Sequence, residues 1–327
     1  MAKRALLIGI DKYTQFEHLP FCVIETGKMK QFLDRNEDNS KNFDCKQIEN
    51  VATKEELEEH INVLFSGEGD TALFYFSGHG MRDDKHESYL VPATAKNCID
   101  CLSLSQLLKI VNNSKFRNRV VILDSCFSGA MRIPNPALAA NGTIAINNGV
   151  TILTSSRAYE ASTMTSVGST FTNILLDALN GSAADVRGNI TTGSIYAYID
   201  QALGAWEQRP LYKTNVSAFN VIRKVTPAVS ESILRRLVTY FKTESDIFSL
   251  NPSFEWTNDK AIKHKFIKPY ATATNVEIFK ELQKLSYNGL VVPVGASCMY
   301  DAAMGSKGCK LTELGKQYWR QARKGRF

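Results

Sequence analysis

The stretches Thr71-Ala72-Leu73-Phe74-Tyr75-Phe76-Ser77-Gly78-His79-Gly80 and Val120-Val121-Ile122-Leu123-Asp124-Ser125-Cys126-Phe127-Ser128-Gly129 decide the fold. Each is a short apolar run, aromatic or β-branched, closed by glycine and small polar residues, as a buried parallel strand reads. In an open α/β sheet, reacting groups gather beyond the carboxyl ends of the strands. His79 and Cys126, 47 positions apart, are therefore predicted to meet at one sheet edge, where a thiol beside an imidazole pairs a nucleophile with its base. Alone, the cysteine would read as a small buried hydrophobe and the histidine as a loop residue bonded to backbone. Two strand exits carrying both favour chemistry. His18, His60, His86 and His264 lack such a setting and read as ordinary.

Working outward, apolar strands are predicted near 4–10, 43–48, 71–76, 119–123, 150–154 and 218–223. Helices fall between them, near 26–35, 53–65, 103–113, 168–180 and 193–204. Thr53-Lys54-Glu55-Glu56 and Ser103-Leu104-Ser105-Gln106 have the form that caps a helix start, and Gly181 sits where the fourth helix should stop. The alternation implies an α/β domain over 1–224, a mostly parallel six-stranded sheet with helices on both faces. Met131 to Gly149 carries neither period and reads as a flexible loop.

The histidine-to-cysteine spacing and the motifs S-G-H-G and D-S-C-F-S-G resemble the caspase-like cysteine peptidases of clan CD, and among them the metacaspases and their prokaryotic relatives. The resemblance covers about residues 1–224. It implies a caspase-like fold and a Cys126/His79 dyad, with an oxyanion hole from the backbone N–H groups of Cys126 and Gly80. It also implies an acidic pocket for the residue before the scissile bond, built here from Cys22, Glu25, Ser77 and Asp124. Glu25 stands where the family has Asp, which lengthens the arm and keeps the charge. Two carboxylates in one pocket select Arg, or Lys less well. For Glu25 alone, serving the dipole of its helix is an equal alternative. Ser155 and Ser156 resemble the groove-flanking segment that pairs with an extended peptide, against the plainer reading of a polar loop. Calcium-dependent relatives carry an acidic run after S-G-H-G; Met81-Arg82-Asp83-Asp84-Lys85-His86-Glu87 interleaves its acids with cations, and Thr94 stands where Asp is common. A solvated loop is expected there, with no metal and no cofactor. Arg132, six residues after the nucleophile, is a candidate site of self-cleavage if the pocket takes Arg; an uncut surface loop is the equal alternative.

At 327 residues the chain exceeds a single core, so a second domain over 225–327 is expected after Thr226-Pro227. Residues 1–224 carry 23 Lys/Arg against 24 Asp/Glu, and 225–327 carry 16 against 9, so the basic character, net +7, belongs to the second part. There, helices near 231–243 and 275–285, an apolar strand at 289–294, a second short apolar stretch at Cys298-Met299-Tyr300 and a final helix near 311–319 resemble a winged helix-turn-helix. Its competing roles are docking an activator or adaptor protein and binding nucleic acid through Lys316, Arg320, Arg323, Lys324 and Arg326, beside a merely solvated basic face. Seven cysteines in a chain whose N-terminus does not read as a signal peptide are expected to be reduced thiols, and Cys98-x-x-Cys101 reads as a connection rather than a zinc or redox motif. No apolar stretch approaches the roughly 20 residues of a membrane helix. The expectation is a cytoplasmic cysteine endopeptidase in signalling or defence. Its rival is a regulator or adaptor whose caspase-like part only binds.

Overall fold

The computed structural model describes residues 2–84, 87–125, 145–155, 164–165, 168–204, 209–217, 220–261 and 267–327, in two compact units, Met1–Thr226 and Pro227–Phe327. In the first, β1 (Lys3–Gly9), β2 (Asp44–Glu49), β3 (Thr71–Ser77), β4 (Asn118–Asp124), β5 (Val150–Thr154) and β6 (Leu211–Asn215) form one sheet in the order β6-β5-β4-β3-β1-β2. All neighbours are parallel except β6, which runs antiparallel to β5. Every residue of β3 and β4 is buried, as expected of central strands covered on both faces.

Side chains alternate between two cores. Phe74, Phe76, Val121 and Leu123 pack with α2 (Lys54–Phe65) and α3 (Leu104–Asn113) on one face. Leu73, Tyr75, Val120 and Ile122 pack with α1 (Cys22–Asp34), α4 (Thr170–Asp177) and α5 (Thr192–Ala202) on the other. Both helix-start signals form caps. Ser103 and Gln106 make the reciprocal pair, whereas Thr53 accepts from the Glu56 N–H and Glu56 turns instead to the Ala52 N–H at 2.8 Å. After α4 the helix widens into one turn, Ala178–Ser182, with Gly181 at φ 132° near its end.

The expected strand at 218–223 is a correction. Val221–Lys224 pairs with Asn189–Thr191 in a separate ribbon, and Leu211–Asn215 takes the sheet edge. An edge strand buries little, so its Leu-Tyr-Lys-Thr-Asn carries no apolar run by which to be recognised.

The second unit holds α6 (Glu231–Tyr240), α7 (Ala273–Tyr287), α8 (Met299–Met304) and α9 (Glu313–Arg323). It also holds an antiparallel sheet of β7 (Ile247–Ser249), β8 (Val291–Val294) and β9 (Gly308–Leu311) in the order β7-β9-β8. Cys298-Met299-Tyr300 is not a strand. Cys298 caps α8, its sulfur accepting from the Asp301 N–H, and the strand lies eight residues beyond Tyr300. Of the five terminal cations, Arg320 forks onto Glu244, Lys316 pairs with Glu313 and Arg323 lies over the Trp319 ring. Among the described residues no helix is long and apolar enough to cross a membrane.

Candidate active site

β3 and β4 run side by side with Ser77 opposite Asp124, and beyond them the Gly78 N–H donates to the Asp124 carbonyl at 3.2 Å. This ties the two strand exits together, with His79 on one and Asp124-Ser125 on the other. Cys126 follows Ser125 in the chain and lies outside the described residues, as do Ser156 and Arg132.

His79 is held from the segment between β1 and α1. Its backbone N–H donates to the Tyr13 hydroxyl at 2.8 Å, and its ring Nε2 lies 2.8 Å from the Glu17 carbonyl. A carbonyl only accepts, so Nε2 carries the proton and Nδ1 is the nitrogen left to act as base in the neutral ring. The Tyr13 and Phe16 rings stand 4.6 and 5.8 Å from the imidazole. The segment is closed by Leu19 N–H to the Asp11 carbonyl, by His18 Nε2 against the Tyr13 carbonyl, and by the Asp11 carboxylate accepting the Val23 N–H of α1. Sequence reasoning missed Tyr13 and Glu17. A backbone carbonyl leaves no residue signature, but Gly78 is a trace of Tyr13, since a Cβ there would come 2.6 Å from the tyrosine hydroxyl.

On the α1/α4 face, one strand position away, the structure brings Glu25, Ser77 and Asp124 together and buries Cys22 with them. Glu25, in the first turn of α1, is 1% exposed. It accepts from the Ser77 hydroxyl at 3.1 Å and from the Ser169 N–H at 2.6 Å. This is not a carboxylate merely solvated at a helix end. Asp124, 5% exposed, accepts from the Thr172 hydroxyl at 2.5 Å, and the Thr172 hydroxyl meets that of Tyr75 at 2.7 Å. Burial pushes the Glu25 carboxyl up to about 7, helped by the charge of Asp124 and opposed by the donors from Ser169 and Ser77. Burial also raises Asp124, against the hydroxyls around it. The Cys22 thiol is pushed up by the same burial. Among the described residues, neither carboxylate is bonded to a cation.

Gly80 opens a short strand, Gly80–Arg82, against Ser88–Leu90. The Ser155 N–H is spent on the Leu123 carbonyl at 2.9 Å, so it is not a donor to a peptide. Asp83 and Glu87 are bonded rather than simply solvated. Asp83 accepts from the Glu87 N–H and the Tyr89 hydroxyl, and Glu87 takes the N–H and hydroxyl of Ser105. The Thr94 hydroxyl donates to the Ala52 carbonyl, and Cys101 is buried beside Met81.

The family profile described as a caspase domain matches residues 2–238, and the chain belongs to that family. In class it is a caspase-type cysteine peptidase, acting on protein substrates. Solved structures with the same fold include a protein of Geobacter sulfurreducens, 15% identical, with a TM-score of 0.52, covering 69% of this chain and 98% of that one. Caspase-1 from Spodoptera frugiperda is similar at 12% identity and a TM-score of 0.51, covering 68% and 90%. Among curated proteins no relative matches.

Proposed function

We propose that the chain is a peptidase of the metacaspase type that cuts after Arg, and after Lys less well, with Cys126 as nucleophile and His79 as its base and later the acid for the leaving amine. The observation that carries this is the pair Glu25 and Asp124, both buried, close enough that the charge of Asp124 raises the proton affinity of Glu25, and free of a bonded cation among the described residues. Burying carboxylates uncompensated costs stability, and folds keep such a cost where it serves binding or chemistry. A guanidinium supplies the missing charge and can fork onto both acids. An Asp side chain in the same place would be repelled. The second unit, with three of its five terminal cations already engaged within it, reads as a docking module for a protein partner ahead of a phosphate-binding one.

Fluorogenic peptides varied at the residue before the scissile bond test the reading on the purified chain. Arg peptides are expected to turn over, Lys peptides more slowly and Asp peptides not at all. Cys126→Ala abolishes turnover, and His79→Ala lowers it by at least ~10²-fold, the scale of general acid–base catalysis. A preference for Asp, or turnover that survives Cys126→Ala, overturns the assignment.

A further inference from the structure

Three groups in the acidic pocket have no place in the motifs that define it. Tyr75 is wholly buried in the middle of the sheet, Thr172 is buried in the first turn of α4, and Gly168 precedes that helix. The Thr172 hydroxyl lies 2.5 Å from Asp124 Oδ2, and the Tyr75 hydroxyl lies 2.7 Å from Thr172. In the ionised form that a bound cation favours, the Asp124 carboxylate can only accept, so Thr172 donates to it. The single Thr172 proton is then spent, which leaves Tyr75 to donate to Thr172. Two hydroxyl dipoles thus line up head to tail on one carboxylate in a setting that excludes water, where such chains strengthen one another.

Gly168 and the backbone of Ser169 serve the other acid. Gly168 lies at φ 121°, a backbone region open to glycine, and a Cβ on it would come 2.6 Å from Glu25 Oε1. The glycine lets the Ser169 N–H reach that oxygen at 2.6 Å. A single segment, Gly168 to Thr172, therefore addresses both carboxylates, while of the sheet residues Ser77 donates to Glu25 and Tyr75 bonds Thr172.

We propose that Tyr75 and Thr172 form a buried hydroxyl relay that positions Asp124 and keeps its charge aimed at the substrate cation, and so sets how strongly the pocket prefers a charged to a neutral side chain. This deepens the Arg-specificity reading and rests on it. Both are positioning residues; neither touches the substrate.

The test compares peptides carrying Arg with the same peptides carrying citrulline, which has the shape of Arg without its charge. Wild type is expected to prefer Arg strongly. Thr172→Val keeps the size but removes the donor; it should raise the KM for Arg about 10-fold, the scale of a hydrogen bond to a charged group, with kcat and citrulline turnover little changed. Thr172→Ser should restore the wild-type KM, and Tyr75→Phe should give a smaller rise of about 3-fold, since Thr172 still donates. Binding of agmatine to Cys126→Ala, with and without Thr172→Val, reads the same loss without turnover. Wild type that does not separate Arg from citrulline would sink the specificity reading itself. Wild type that separates them, with Thr172→Val separating them equally and binding agmatine equally well, overturns the relay alone. A kcat loss shared by both peptides and not rescued by Thr172→Ser makes the two hydroxyls structural, which also overturns it.

Discussion

Glu25 carries the clearest pH signature in the molecule. Its carboxyl, buried beside Asp124, Ser77 and Ser169 with the charge of Lys28 acting weakly against the shift, is pushed up to about 7 from an ordinary 4.5. The folded chain thus holds a proton that the unfolded chain releases near 4.5. The sign follows: the group costs no stability below pH 4.5, and the cost grows as pH rises through 7, to on the order of 3 kcal/mol if the group stays empty-handed. A bound cation offsets that cost by favouring the ionised form. KM for Arg peptides should therefore fall as pH rises from about 5.5 to 8, with citrulline peptides showing no such trend. In Glu25→Gln the Arg profile should lose this limb. A flat KM profile in wild type, measured with kcat separately corrected, would show that the pair does not titrate against the substrate.

At the scale of elements, the segment between β1 and α1 acts as a clamp on the end of β3, through the Tyr13 hydroxyl on the His79 N–H and the Glu17 carbonyl on the imidazole. Gly78 is the clearance that admits the clamp, because a Cβ there would meet the Tyr13 hydroxyl at 2.6 Å and the Phe76 ring at 3.0 Å. Gly78→Ala should push Tyr13 off the His79 backbone, leave that N–H unpaired and misplace the ring. The expected result is a fall in kcat of about 10-fold or more with KM for Arg little changed, since misplacing a reacting group costs rate; unchanged kcat would show that the clamp is slack. The strands that carry this site were legible because burial on both faces writes itself as an unbroken apolar run, as in Thr71–Ser77. What covers their ends was not. Leu211–Asn215 is an edge strand with little to bury, Glu17 acts through a carbonyl that any residue could provide, and Tyr75 reads in the sequence as one more core aromatic. Thr172 meets Asp124 only because α4 packs on the same face as α1, 48 positions away in sequence.

For the whole molecule, the family match and the compact units disagree about where the peptidase ends. The match runs to residue 238, inside α6, whereas compactness divides the chain at Thr226 and Pro227. The side chains of α6 favour the latter. Leu234 and Leu237 are fully buried, Arg236 forks onto Glu281 of α7, and the Phe241 carbonyl just after α6 takes the Trp319 indole N–H of α9 at 2.7 Å. All of these partners belong to the second unit, whose own buried set includes Phe254, Phe279, Leu282 and Leu285. A segment of about a hundred residues with such a core is large enough to fold by itself. We expect the fragment 227–327 to unfold in one cooperative thermal transition and the fragment 1–226 to keep Arg-peptide turnover within about 3-fold of the whole chain. The fragment 1–238 would carry α6 without its partners, exposing Leu234 and Leu237 as an apolar stripe, and should aggregate. The isolated 227–327 fragment also separates the two partner classes, because duplex DNA binding that weakens steeply with salt would displace the protein-docking reading. If 227–327 shows no transition while 1–238 is the better-behaved and more active piece, α6 belongs to the peptidase and the division at 226 is wrong.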